Sequence, residues 1–197
     1  MKDLIKDSLT KSTSYTTFRS LVSDLLVKGK STGPNQSDAL LNYSMLNDKR
    51  MARLDKKIKL SDTTIARLNN INKMQTWLLI TEGWCGDAAH ILPVMNKMSS
   101  ESENINLKVV LRDENPELMK QFLTNGSMSI PKLVVLNTND EVISSWGPRP
   151  SIATKMVTDY KEEHGGLDSN FKKDLQLWYN KNKGVNIQED LLTFLEQ

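Results

Sequence analysis

Between Tyr15 and Leu26 the apolar residues Tyr15, Phe18, Leu21, Val22, Leu25 and Leu26 return every three or four positions, the period at which a helix turns one face inward. Ser14 stands where an N-cap belongs, and Gly29 where a helix stops. The polar stretch Lys30-Ser31-Thr32-Gly33-Pro34-Asn35 reads as a loop, after which Ser37 is placed to cap a second helix running to about Lys59 and Ser61 a third. Then the pattern changes. Thr76 to Thr81, with Trp77-Leu78-Leu79-Ile80 at its centre, is a strand-length apolar run. A helix follows over Ala88 to Ser100, then a strand over Asn106 to Arg112, and Pro116 suits the first turn of a helix ending near Gly126. Strands Lys132 to Leu136 and Glu141 to Trp146 flank the turn Asn137-Thr138-Asn139-Asp140, and Ser151 opens another helix. Beyond His164-Gly165-Gly166 the helical period returns, with Phe171, Leu175, Trp178 and Tyr179 on one face and Leu191, Leu192 and Leu195 in a last short segment. The aromatics on that face are expected to cover a core.

The central order strand, turn, helix, strand, helix, strand, strand, helix predicts a layered α/β unit with a mixed sheet flanked by helices. Its expected span is residues 71–163, with a helical N-terminal extension over 1–70 and a helical C-terminal extension over 164–197. A chain of 197 residues buries a core of ordinary size. Twenty-six Lys and Arg against 24 Asp and Glu leave a formal charge of +2, too small to call for a nucleic-acid partner or an anionic surface. The basic run Lys49, Arg50, Arg53, Lys56, Lys57 and Lys59 is interrupted by Asp48 and Asp55 and threaded by Met51, Leu54 and Ile58, which predicts a solvated amphipathic helix. No apolar run approaches the roughly 20 residues of a membrane-spanning helix. With one cysteine the chain forms no internal disulfide, and Met1-Lys2-Asp3-Leu4-Ile5-Lys6 is not a charged-then-apolar leader, so the expected compartment is the cytoplasm.

That cysteine, Cys85, falls where the first strand ends and a helix begins. Unpaired amide N–H groups and the positive end of the helix dipole favour its thiolate, the nucleophilic form. The carboxylate of Asp87 opposes them by like-charge repulsion. Asp87 is itself open to two readings, a general acid or base and a first-turn carboxylate complementing the dipole. His90 lies five residues beyond Cys85, an offset that does not bring it onto one face with Cys85 and Asp87, so no metal site is expected.

The turn Trp84-Cys85-Gly86-Asp87-Ala88 resembles the active-site turn of the thioredoxin family, Trp-Cys-Gly-Pro-Cys, with Asp87 for the proline and Ala88 for the second cysteine. Two further segments resemble the family in the same order. One is Lys108-Val109-Val110-Leu111-Arg112-Asp113-Glu114-Asn115-Pro116-Glu117-Leu118, a strand ending in an aspartate that passes through Asn-Pro into a helix. The other is Ser129-Ile130-Pro131 before Lys132-Leu133-Val134-Val135-Leu136. The resemblance implies a thioredoxin-like fold, a cis peptide at Pro131 beside the active-site turn, and a short recognition surface on the backbone of Ile130 with Trp84 as its wall. Gly147 resembles the glycine after the family's last strand, whereas Pro148-Arg149-Pro150 lies outside the pattern. Leu79 and Val109 stand where many members carry a buried acid and its lysine partner.

Without a second cysteine, the resemblance implies monothiol exchange. Cys85 would attack a disulfide or thiol adduct, and an outside thiol such as glutathione would resolve the mixed intermediate. The partner is then a protein or small molecule bearing a thiol or disulfide, with no bound cofactor beyond a low-molecular-weight thiol as co-substrate and with the oligomeric state left open. The alternative is a redox-inactive module that uses the Cys85/Pro131 groove, or the helical extensions, to hold a protein partner.

Overall fold

The computed structural model describes residues 1–195. Three serines start three of its helices as their positions predict. Ser14, Ser37 and Ser61 accept hydrogen bonds from the N–H groups of Thr17, Leu40 and Thr64, opening α2 (Tyr15–Val27), α3 (Asp38–Lys57) and α4 (Asp62–Asn69). The sheet is mixed. β1 (Gln75–Thr81) pairs parallel with β2 (Ile105–Leu111) and antiparallel with β3 (Lys132–Leu136), and β3 pairs antiparallel with β4 (Val142–Trp146), giving the order β2-β1-β3-β4. The crossover between the parallel strands β1 and β2 is made by α5 (Ala88–Ser100). The α/β class, with its mixed sheet and flanking helices, is therefore as the chain pattern predicts.

Because side chains alternate across a strand, the sheet feeds two cores. Trp77, Leu79, Leu133 and Val135 point to one side, where they pack with Phe18, Met51, Ile91 and Met95 and with Phe171, Leu175 and Tyr179 of α8 (Ser169–Asn182). Leu78, Ile80, Val134 and Leu136 point to the other, where Ile5, Leu118, Met119, Cys85 and Ile130 gather. Full burial of large apolar side chains such as these stabilises by roughly 1.5–3 kcal/mol each before conformational entropy is counted. Leu79, at the place of the family's buried acid, is wholly enclosed in the first core.

Two local features differ from the sequence expectation. The helix opened by Pro116 is one short turn, α6 (Pro116–Lys120), and does not reach Gly126. The chain instead reverses tightly: Thr124 and Ser127 exchange two backbone hydrogen bonds around Asn125 and Gly126, both at positive φ. The second feature is an unanticipated helix, α1 (Lys2–Lys11), whose Ile5 is fully buried in the second core. The segment after it reaches the outer border of β2, where Thr13 exchanges backbone hydrogen bonds of 2.9 and 2.8 Å with Val109. The chain closes with α7 (Ser151–His164), α8 and α9 (Val185–Leu195). No helix among the described residues is long and apolar enough to cross a membrane.

Candidate functional site

The turn after β1 is held from the N-terminal segment. The Gly83 N–H donates to Thr32 Oγ1 at 2.9 Å, and the Gly83 carbonyl accepts from Nδ2 of Asn47, a fully buried residue of α3, at 3.1 Å. Cys85 N–H then donates to the Glu82 carbonyl at 3.1 Å, closing the turn that delivers Cys85 to the start of α5. The sulfur is buried. Its S–H donates to the Ile130 carbonyl at 3.3 Å, and Ala88 N–H donates to Sγ at 3.5 Å.

Ile130 precedes a cis peptide to Pro131, so the buried Cys85, Ile130 and Pro131 adjoin one another, and the half-buried indole of Trp84 packs against the same cluster. The Ile130 carbonyl is occupied by the thiol, but the Ile130 N–H has no hydrogen-bond partner among the described residues. Behind this loop Gly147 lies at φ +114°, against the Pro131 carbonyl oxygen, with which any Cβ at position 147 would collide. Lys132 Nζ reaches Thr124 Oγ1 at 2.9 Å and the Gly147 carbonyl at 3.4 Å, tying the same two loops together.

The surroundings of Cys85 oppose its ionisation, first by burial. Burial, and then the Asp87 carboxylate, push the thiol up to about 12, outweighing the Ala88 and Asp87 amides and the Arg149 guanidinium, which pull it down. The helix-end effect is thus present and smaller than desolvation. Asp87 does not cap α5 with its side chain. Its carboxylate is buried between Arg149 Nη2, 2.8 Å from Oδ2, and the Tyr179 hydroxyl, which donates to Oδ1 at 2.9 Å. Burial still raises the Asp87 pKa despite these two partners. His90, one turn on, stacks on the Tyr179 ring at 4.5 Å and pairs through Nε2 with Gln176 Oε1 at 2.9 Å. No three His, Cys, Asp or Glu side chains among the described residues cluster so as to hold a metal ion.

The structure therefore brings together Trp84, Cys85, Gly86, Asp87, Ala88, Ile130 and Pro131, and adds residues that sequence reasoning did not place there. Tyr179 and Gln176 come from the C-terminal extension. Tyr179 does cover core, as its stripe with Phe171 and Leu175 predicts, but its hydroxyl also holds Asp87; a buried phenol needs such a partner, which is the signal the stripe carried. Arg149 comes from the segment outside the family pattern. Arg112 lies over the Trp84 ring at 4.8 Å, with Nε donating to Asp113 Oδ1 at 2.7 Å. Glu82 is buried too, its Oε1 accepting from Asp113 N–H at 2.9 Å and its pKa raised by burial. Arg50, read from sequence as part of a solvated basic run, is half-buried and turned toward Gly86.

A sequence profile of a family described as thioredoxin matches residues 33–161. No curated protein matches the sequence. Among solved structures, an HIV epitope-scaffold is similar at 17% identity and a TM-score of 0.59, covering 93% of this chain and 98% of its own. A Pseudomonas aeruginosa protein of unknown function is similar at 16% identity and a TM-score of 0.53, covering 90% and 98%.

Proposed function

This chain belongs to the thioredoxin family, and from that premise we propose that it is a binding module: an extended segment of a protein partner lies along Trp84-Cys85 and Ile130-Pro131, with its main chain on the free Ile130 N–H. One observation carries this reading. The Cys85 thiol is a buried donor to Ile130 O, its ionisation opposed by burial and by Asp87, while the adjacent Ile130 N–H is unpaired. Here Cys85 is a neutral wall of the groove. A chain with one cysteine also suits a reducing compartment, the cytoplasm.

Monothiol exchange is the second reading, favoured by the Ala88 N–H on Sγ and by the nearness of Arg149, both of which stabilise a thiolate. In that cycle the Cys85 thiolate attacks one sulfur of a substrate disulfide, the other sulfur leaves as a thiolate, and a low-molecular-weight thiolate then attacks the mixed disulfide and releases Cys85. No net oxidation of the protein occurs.

The two readings part on the thiol. Alkylation of Cys85 by iodoacetamide is expected to be slow at pH 7–8 and to climb only in strongly alkaline buffer, and incubation with glutathione disulfide is expected to leave no mixed disulfide in the intact mass. An apparent pKa below the unperturbed value of about 8.5, together with a glutathione adduct released by a second thiol, would overturn the binding reading in favour of exchange.

A further inference from the structure

Of the guanidinium groups around the Cys85 turn, two already have carboxylates. Arg149 is paired with Asp87, and Arg112 with Asp113, with the buried Glu82 close by. Arg50 has none. Its Nη1 donates to Asn47 Oδ1 at 3.0 Å and stands 4.0 Å from where a Cβ on Gly86 would be, and no carboxylate meets it among the described residues. The groups that face it from neighbouring elements are cationic or neutral. Arg53, one turn on along α3, donates from Nη2 to Asn180 Oδ1 of α8, and both arginines act electrostatically on the neutral imidazole of His90. Gln176, also from α8, is the other side chain at Gly86.

Asn47 accounts for the placement. Its Nδ2 is spent on the Gly83 carbonyl and its Oδ1 on Arg50, so one buried amide fixes the guanidinium to the turn that carries Cys85. A half-buried cation bearing five N–H donors, with one acceptor and a second cation close by, is an incomplete arrangement. A carboxylate completes it, because a guanidinium pairs with that group through two parallel, charge-assisted bonds.

Resting on the binding reading above, we propose that Arg50, supported by Arg53, is the specificity-determining residue of the groove, and that the extended partner segment carries an acidic side chain that seats on it. Selection then comes from charge at the Gly86 end, and attachment from the main chain at Ile130.

The test uses the full-length protein and pools of cysteine-free hexapeptides, acetylated and amidated at their ends, each pool containing one Asp or Glu at a defined position, with twin pools in which that residue is Asn or Gln. Binding is followed by NMR through the Ile130 amide. The best acidic pool is expected to bind about tenfold more tightly than its amide twin at low salt, and to lose that advantage as salt is raised. Arg50→Gln is expected to erase the difference and Arg50→Lys to keep part of it, with the NMR spectrum and thermal unfolding verifying the fold of each variant. The acid-against-amide comparison on the unaltered protein requires no variant. Equal affinity for acidic and amide twins, or a preference that survives Arg50→Gln, overturns the inference and leaves the binding reading standing. An Ile130 amide that no pool perturbs overturns both.

Discussion

His90 illustrates how much a single position owes to its surroundings. Burial and the nearby Arg50 and Arg53, against the hydrogen bond that Gln176 Oε1 accepts from the ring, lower its pKa from 6.5 to about 4. The folded state therefore holds a neutral imidazole where the unfolded chain takes a proton, and stability falls as pH drops from about 6.5 toward 4. Integrated over that window the loss is about 3 kcal/mol. Asp87 and Glu82 have the opposite sign, because burial raises their pKa values and the folded state takes up their protons first on acidification. Comparison with His90→Gln separates the contributions. Urea unfolding at pH 7.5 and 4.5 is expected to show a smaller drop in the variant than in the parent, and equal drops would contradict a buried, neutral His90.

At the scale of elements, α8 belongs to the site as much as α5 does. Tyr179 is 92 positions from the Asp87 it bonds, and the ring that carries the hydroxyl also stacks on His90. Tyr179→Phe preserves the packing and removes one donor from a buried carboxylate, at an expected cost of about 1.5–3 kcal/mol in denaturant unfolding; an unchanged midpoint would show that the bond contributes nothing. This is also where the sequence stops being legible. The helix over Tyr15–Val27 and the helix starts at Ser37 and Ser61 follow from local period and capping chemistry. The meeting of Cys85 with Ile130-Pro131 followed from family resemblance, not from period. The partners of Asp87 and the turning of Arg50 toward Gly86 depend on how α3 and α8 land on the sheet, and nothing in their own periodicity encodes that. The short α6 fails for a nearer reason: Asn125 and Gly126 adopt positive φ, and the chain prefers a reversal to a further helical turn.

For the molecule as a whole, the N-terminal segment is structural. Ile5 of α1 is completely enclosed among Leu78, Ile80, Leu118 and Met119, so α1 completes the second core. Ile5→Ala is expected to cost about 2–5 kcal/mol while leaving one cooperative transition. A separate early transition for α1, or a loss below about 1 kcal/mol, would mark it as an appendage.

The paired bonds between Thr13 and Val109 have a colloidal consequence. The outermost strand on that flank otherwise presents a row of open donors and acceptors, the kind of template along which chains stack into ribbons and fibrils. A stopper one residue long interrupts that row near its middle, and a second molecule must first evict it before zipping on.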